Sequence, residues 1–181
     1  MDFVSFSKIP RLNREIIVTE KIDGTNAQIC ITQDGEFLVG SRKRWITPEN
    51  DNHGFAAWAY ENKDELMKLG IGHHYGEWFG SGIQRKYGLT EKIFALFNTS
   101  VWNNENKPSC CGVVPVLYKG IFNTQVIEDC LEMLRTKGSV AVPGYMNPEG
   151  IVIFHTAAGH YFKVTLEHDE MPKELVGRQD V

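Results

Sequence analysis

The 181-residue sequence has no long apolar run. Nothing in it approaches the roughly 18 consecutive apolar residues of a membrane span, so no helical crossing is expected. It has no excess of positive charge either. Its 19 Lys and Arg stand against 23 Asp and Glu, for a net charge of −4. The pI is about 5.9. A grip on nucleic acid by bulk charge is therefore excluded, and any contact with a phosphate backbone must come from local clusters. Arg42-Lys43-Arg44 is one such cluster and Arg85-Lys86 a weaker second. Cysteine is scarce, at positions 30, 110, 111 and 130. The adjacent pair suits neither a zinc-binding Cys-x-x-Cys nor an ordinary disulfide. Reduced thiols and a cytoplasmic setting are the expectation. Met1-Asp2-Phe3-Val4-Ser5 lacks a basic leader followed by an apolar core, so no secretory signal is expected. With no internal repeat, low-complexity tract or Pro/Gly/Ser linker, a single domain over residues 1–181 is the simplest organisation.

What is present is an ordinary globular balance, 42% hydrophobic and 23% charged. Ile16-Ile17-Val18 begins a strand. Residues 27–32 and 36–40 read as two more, joined at Gln33-Asp34-Gly35 by the Asp-Gly signal of a tight hairpin. Phe55, Trp58, Ala59, Leu66 and Leu69 recur at helical spacing up to Gly70. A second helix is expected from Thr124, as N-cap, to Lys137. Val126, Ile127, Cys130, Leu131 and Leu134 form its buried stripe, and Gly138 closes it. Residues 74–79, 93–97, 113–119, 150–154 and 160–165 read as strands, the last two joined as a hairpin through Thr156 to Gly159. Strands dominate and helices are inserted among them, an α+β pattern.

One short run carries a definite chemistry. Glu20-Lys21-Ile22-Asp23-Gly24 contains Lys-x-Asp-Gly, the pattern of enzymes that carry a nucleotidyl group on lysine as a phosphoramidate. A nucleophilic lysine must be neutral, and free lysine, with a pKa of ~10.4, supplies little neutral amine at physiological pH. A neighbouring cation or desolvation lowers that value. Read alone, Asp23-Gly24 is also a plain turn, Glu77 an outward carboxylate on an edge strand, and Phe97 a core aromatic.

Later segments extend the pattern in order. They are Ser41-Arg42, Tyr75-Gly76-Glu77-Trp78-Phe79-Gly80-Ser81-Gly82-Ile83-Gln84, Ile93-Phe94-Ala95-Leu96-Phe97-Asn98, Glu149-Gly150-Ile151-Val152 and Phe162-Lys163-Val164. Together with Lys21-Ile22-Asp23-Gly24 they resemble the motifs of the covalent nucleotidyltransferase superfamily, which includes RNA ligases, DNA ligases and mRNA capping enzymes. The form around Glu77 is closest to that of ATP-dependent RNA ligases.

The resemblance implies a ligase-type adenylation domain of α+β class, with two antiparallel sheets, flanking helices and the nucleotide in the cleft between them. It implies Lys21 as nucleophile, Glu77 on the ribose hydroxyls, and Phe97 stacked on the purine, with Phe94 turned into the core. Arg42 would meet a phosphate of the nucleotide or of the strand, and Lys163 would be the cation near Lys21. Glu20, Asp23 and Gly24, which flank the nucleophile, count with the nucleotide-binding residues. Glu149 would hold Mg²⁺ or Mn²⁺, and Arg42, Lys43 and Arg44 a nucleic-acid strand, with Arg85 and Lys86 as helpers. His73 and His74 read as a partly buried strand start. Two departures stand out. The last motif is commonly Lys-x-Lys but here reads Lys163-Val164-Thr165. No OB-fold domain is expected after it.

The function this implies is an ATP-dependent RNA ligase that joins 5′-phosphate and 3′-hydroxyl ends through lysyl-AMP. ATP is the AMP donor, and RNA (or DNA) strand ends are the partner, with a protein that presents them left open. The rivals are a DNA-ligase or capping-type guanylyltransferase core, and a non-catalytic nucleotide- or RNA-end-binding module of the same fold.

Overall fold

The computed structural model describes residues 1–170 of the chain. Among these residues nine strands form two sheets. The strands are β1 (Glu15–Lys21), β2 (Thr25–Ile31), β3 (Phe37–Ser41), β4 (Gly72–Gly80), β5 (Lys92–Leu96), β6 (Cys111–Val113), β7 (Val116–Ile121), β8 (Gly150–His155) and β9 (His160–Thr165). The helices are α1 (Phe55–Glu61), α2 (Lys63–Leu66) and α3 (Thr124–Lys137). One sheet has the order β7-β1-β8-β9 and is antiparallel throughout. The other has the order β3-β2-β4-β5-β6, and its edge pair β5–β6 is parallel where an antiparallel sheet was expected.

The segment that supplies this edge strand is divided at Pro115. The apolar run 113–119 reads as one strand, but proline offers no amide to a ladder. The run divides there. β6 stays on the five-stranded sheet, while β7 crosses to the four-stranded one and pairs with β1. The Pro115 carbonyl accepts the Glu20 amide at 3.0 Å, which ties the crossing to β1.

Each sheet buries its outer face under helices by strict alternation. Ala27, Ile29, Val39, Trp78, Phe94 and Leu96 pack against Phe55, Ala56, Ala59 and Leu66 of α1 and α2. Phe94 is 0% exposed, as expected of a core residue. Ile16, Val18, Ile151 and Ile153 pack against Cys130, Leu131 and Leu134 of α3. The inner faces converge on Ile22, Phe79, Tyr87, Ala95 and Val114.

Local chemistry explains the helix ends. The Asp51 carboxylate accepts the amides of Ala56 at 2.8 Å and Ala57 at 2.9 Å, satisfying first-turn donors of α1. The helix expected to run unbroken to Leu69 is interrupted at Asn62, whose carboxamide donates back to the Trp58 carbonyl at 2.8 Å. A short α2 and a 3₁₀ turn over Met67–Leu69 follow. The N-cap of α3 is Asn123, not Thr124. Asn123 is extended, and its side chain accepts the Gln125 amide at 2.8 Å. The four cysteines are free thiols, and burial raises the pKa of Cys110, Cys111 and Cys130. Among the described residues no helix is long and apolar enough to cross a membrane.

Candidate active site

The inner faces of the sheets enclose a cleft of about 1100 Å³, at the upper end of ligand-pocket sizes. Alternation along β1 turns Ile16, Val18 and Glu20 toward α3 and leaves Lys21 on the cleft face. Lys21 lies opposite Gly150 of β8, which in turn lies opposite Thr165 of β9. Lys163 pairs with Val152, one same-face step from Thr165, so both lysines line the cleft. The Lys21 ammonium donates to Glu149 Oε2 at 2.6 Å, across 128 positions of sequence. The Glu149 side chain is 3% exposed and that of Lys21 19%. Glycine is needed next to Glu149. Gly150 has φ +152°, and a Cβ there would lie 2.2 Å from the Val164 carbonyl oxygen.

The five-stranded sheet supplies the opposite wall. Asn26 lies opposite Glu77 and Gln28 opposite Tyr75, so these four share its inner face. Glu77 Oε1 accepts the Gly24 amide at 3.0 Å, and Oε2 accepts Asn26 Nδ2 at 3.0 Å. Burial raises the Glu77 carboxyl to about 7, against the opposing pull of the Lys21 cation and the Gly24 amide. Gly24 is required by close approach. A Cβ would stand 2.4 Å from the Trp78 carbonyl oxygen. Phe97 follows β5, is half-buried and lines the cleft, as does Arg42, which follows β3 and is exposed.

Behind Lys21 the chain is clamped. The Asp23 amide donates to the Tyr87 hydroxyl at 2.7 Å, and the Asp23 carboxylate accepts Arg85 Nε at 3.2 Å. Arg85 also donates to the Asn147 carbonyl at 3.2 Å, close in sequence to Glu149. Burial pushes the Tyr87 phenol well above its usual range. The loop carrying these two residues holds Gln84, Lys86 and Tyr87 in the left-handed region, at φ +43°, +59° and +51°. Such strain persists only where surrounding contacts over-determine it. Arg85 was expected to help hold a strand and is instead engaged with Asp23.

Glu20 takes a structural part. Its carboxylate is 1% exposed. It accepts the Ser139 hydroxyl at 2.5 Å and the amides of Val140 and Ala141 at 2.7 and 2.8 Å. These contacts fasten the segment after α3 to β1 and engage the Glu20 carboxylate, a residue expected among those that bind the nucleotide. Glu20→Ala strands a buried hydroxyl and two amides, so a loss of about 3 kcal/mol is expected. Urea unfolding midpoints at constant m-value check this.

Lys21, Arg42, Glu77, Phe97 and Lys163 thus share one cleft, with Glu149 joined to it through Lys21. Lys43 and Arg44 lie on the exposed loop after β3, where Arg44 donates to the Asn50 carbonyl at 3.2 Å. His73 is exposed and His74 half-buried at the start of β4. Sequence reading passed over Asn26 and Tyr87. Asn26 has a findable signal, since it is a polar residue on the same β2 face as Gln28. Tyr87 has none short of the tertiary pairing.

Among the described residues no three His, Cys, Asp or Glu side chains gather into a metal cage. A divalent cation bound with phosphates needs less. One carboxylate, phosphate oxygens and water complete the octahedral shell Mg²⁺ prefers, and Glu149 would supply that carboxylate.

The family model described as RNA ligase matches residues 14–165. No curated protein sequence matches the chain significantly. Among solved structures, an apo mutant of Naegleria gruberi RNA ligase is 21% identical at a TM-score of 0.62, over 90% of this chain and 52% of that one. A mutant of that ligase with ATP and Mn is 21% identical at 0.61, over 86% and 51%. One with AMP and Mn is 20% identical at 0.60, over 85% and 50%. At this identity the likeness is one of fold, and the chain spans about half the length of these structures.

Proposed function

The chain belongs to the RNA ligase family, and from that premise we propose that it is the nucleotidyl-transfer domain of an ATP-dependent RNA ligase. The observation that carries this reading is the cleft-facing Lys21, held 2.6 Å from the Glu149 carboxylate.

The Lys21 ammonium gives its proton to water. The freed lone pair on Nζ attacks the α-phosphorus of ATP. A phosphorus–nitrogen bond forms, the bond to the bridging oxygen breaks, and pyrophosphate leaves with the electron pair. Lys163 and Arg42, on the same cleft, offer positive charge to the phosphates. Mg²⁺ or Mn²⁺, held on the protein side by Glu149, supplies further neutralisation when bound. A 5′-phosphate oxygen then attacks lysyl-AMP, the phosphorus–nitrogen bond breaks, and lysine recovers its proton. Finally a 3′-hydroxyl gives its proton to water and attacks the 5′-phosphorus, a phosphodiester bond forms, and the P–O–P bond to AMP breaks with AMP as leaving group.

ATP rather than GTP is the favoured donor, because the Naegleria enzyme of like fold was solved with ATP and with AMP. RNA ends are the favoured strand from the family. With a net charge of −4 the domain holds a strand weakly by its field, so a partner that presents the ends belongs to this reading. The test is incubation with magnesium and ATP labelled at the α-phosphate, then with labelled GTP, followed by addition of 5′-phosphorylated RNA or nicked DNA. Covalent label from ATP and joining of RNA support the reading. Label from GTP alone, or sealing of DNA alone, favours the capping or DNA-ligase alternative, and no label from either overturns it.

Glu77 makes nucleotide affinity pH-dependent. Ribose hydroxyls donate to the ionised carboxylate, which predominates above its value of about 7. A carboxyl raised from its ordinary 4.5 favours the protonated folded form. Its contribution to stability is therefore present below 4.5 and lost as pH rises through about 7. Nucleotide affinity moves the other way, falling about tenfold from pH 8 to pH 6 by titration of this group. Calorimetric titrations of ATP into wild type and Glu77→Gln check this, since the variant should bind weakly and lose that part of the slope. Equal slopes would remove Glu77 from the ribose site.

A further inference from the structure

Beside the cleft, the five-stranded sheet carries a row of rings outside the chemistry above. The Trp45 ring stacks on His73 with centroids 6.3 Å apart and planes 26° apart. His73 stacks on Tyr75 at 6.0 Å and 11°. Trp45 is 49% exposed and Tyr75 54%. The row is built by the fold. His73 and Tyr75 alternate along β4 onto its inner face, and both line the rim of the cleft. Trp45 is turned the same way by the loop after β3. The Ser41 amide donates to the Arg44 carbonyl at 2.8 Å and the Ile46 amide to the Val39 carbonyl at 2.9 Å, with Ile46 buried. This pins Ile46 inward and leaves Trp45 outward.

A lone exposed tryptophan is ordinary. Three nearly parallel rings in a row, next to the exposed run Arg42-Lys43-Arg44, are not required by packing. Their pairing with cations matches single-stranded nucleic acid, whose bases stack on flat rings and whose phosphates follow a basic path. The need is there too, since a chain of net charge −4 cannot hold a strand by its global field.

We propose that Trp45, His73 and Tyr75 form a stacking platform for unpaired bases of the RNA strand, with Arg42, Lys43 and Arg44 on its phosphates. The class of strand rests on the RNA ligase reading. The platform leads from the loop after β3 toward the cleft, so a base stacked at Tyr75 brings its strand to the rim beside Lys21.

The test is fluorescence anisotropy, with no nucleotide present, on two labelled 5′-phosphorylated RNA oligonucleotides of equal length. One is intact and unpaired, and the other carries abasic riboses. Trp45→Ala should bind intact RNA roughly five- to a hundredfold more weakly than wild type. Trp45→Phe should stay close to wild type. The abasic strand should bind weakly and equally to wild type and Trp45→Ala. Lysyl-AMP formation by Trp45→Ala, read in parallel, should match wild type, which also shows that the variant folds. Intact RNA bound equally by Trp45→Ala and wild type would overturn the platform, as would wild-type protein that binds abasic and intact strands alike or binds neither. Absence of lysyl-AMP in wild type sinks the ligase reading alone, because the binding measurement needs no turnover.

Discussion

Lys21→Ala should abolish transfer of AMP from labelled ATP to the protein, a loss of at least about a thousandfold. The reason is chemical. Lys21 Nζ stands at the end of β1 on the cleft face, 2.6 Å from Glu149 Oε2. Alanine has a second effect, since it leaves the Glu149 carboxylate, 3% exposed, without that cation. Lys21→Arg separates the two. Guanidinium keeps the charge and is not deprotonated in proteins, so it cannot attack phosphorus. The arginine variant should melt close to wild type and still form no adduct. Intact-mass spectrometry after incubation with ATP and magnesium reads the adduct, and peptide mapping locates it. An adduct that persists in both variants would move the nucleophile to another lysine.

Glu149→Gln should lower the rate of lysyl-AMP formation by about a hundredfold, with the fold retained. Glutamine preserves volume and the main-chain bond in which the Glu149 carbonyl accepts the Leu166 amide at 3.0 Å. It removes the negative charge that faces Lys21 and that would hold the cation. If that charge acts through the metal, half-saturating magnesium should rise in Glu149→Gln and high magnesium should restore part of the rate. A purely structural role would leave the magnesium dependence unmoved. Wild-type rates at every magnesium concentration would take Glu149 out of the site.

The difference between these residues and Glu20 shows where sequence reading reaches. Glu20 and Glu149 are both acidic and both buried, at 1% and 3% exposure. Motif order picked out both. Only pairing separates them. Glu20 faces α3 and closes on Ser139, while Glu149 faces Lys21 across the sheet. Arg85 illustrates the same limit. Next to Lys86 it reads as a basic surface cluster, yet it reaches Asp23, 62 positions away, at 3.2 Å.

By itself the sequence determined what local physics controls. The apolar run Ile16-Ile17-Val18 marks β1, Asp34-Gly35 marks the hairpin of β2 and β3, and a 3.6-residue stripe marks α3. The motifs around Lys21, Glu77, Glu149 and Lys163, in their order, resemble those of an adenylation-type domain. All of this is encoded within a few neighbouring residues or in their order. The tertiary structure alone decided the rest. Pro115 sends one apolar run into two sheets, Tyr87 and Arg85 clamp Asp23, and Trp45, His73 and Tyr75 come into one row. These depend on which strand pairs with which and in what register. A single-residue slip in β4 would turn His73 and Tyr75 to the opposite face, and no local pattern records that choice.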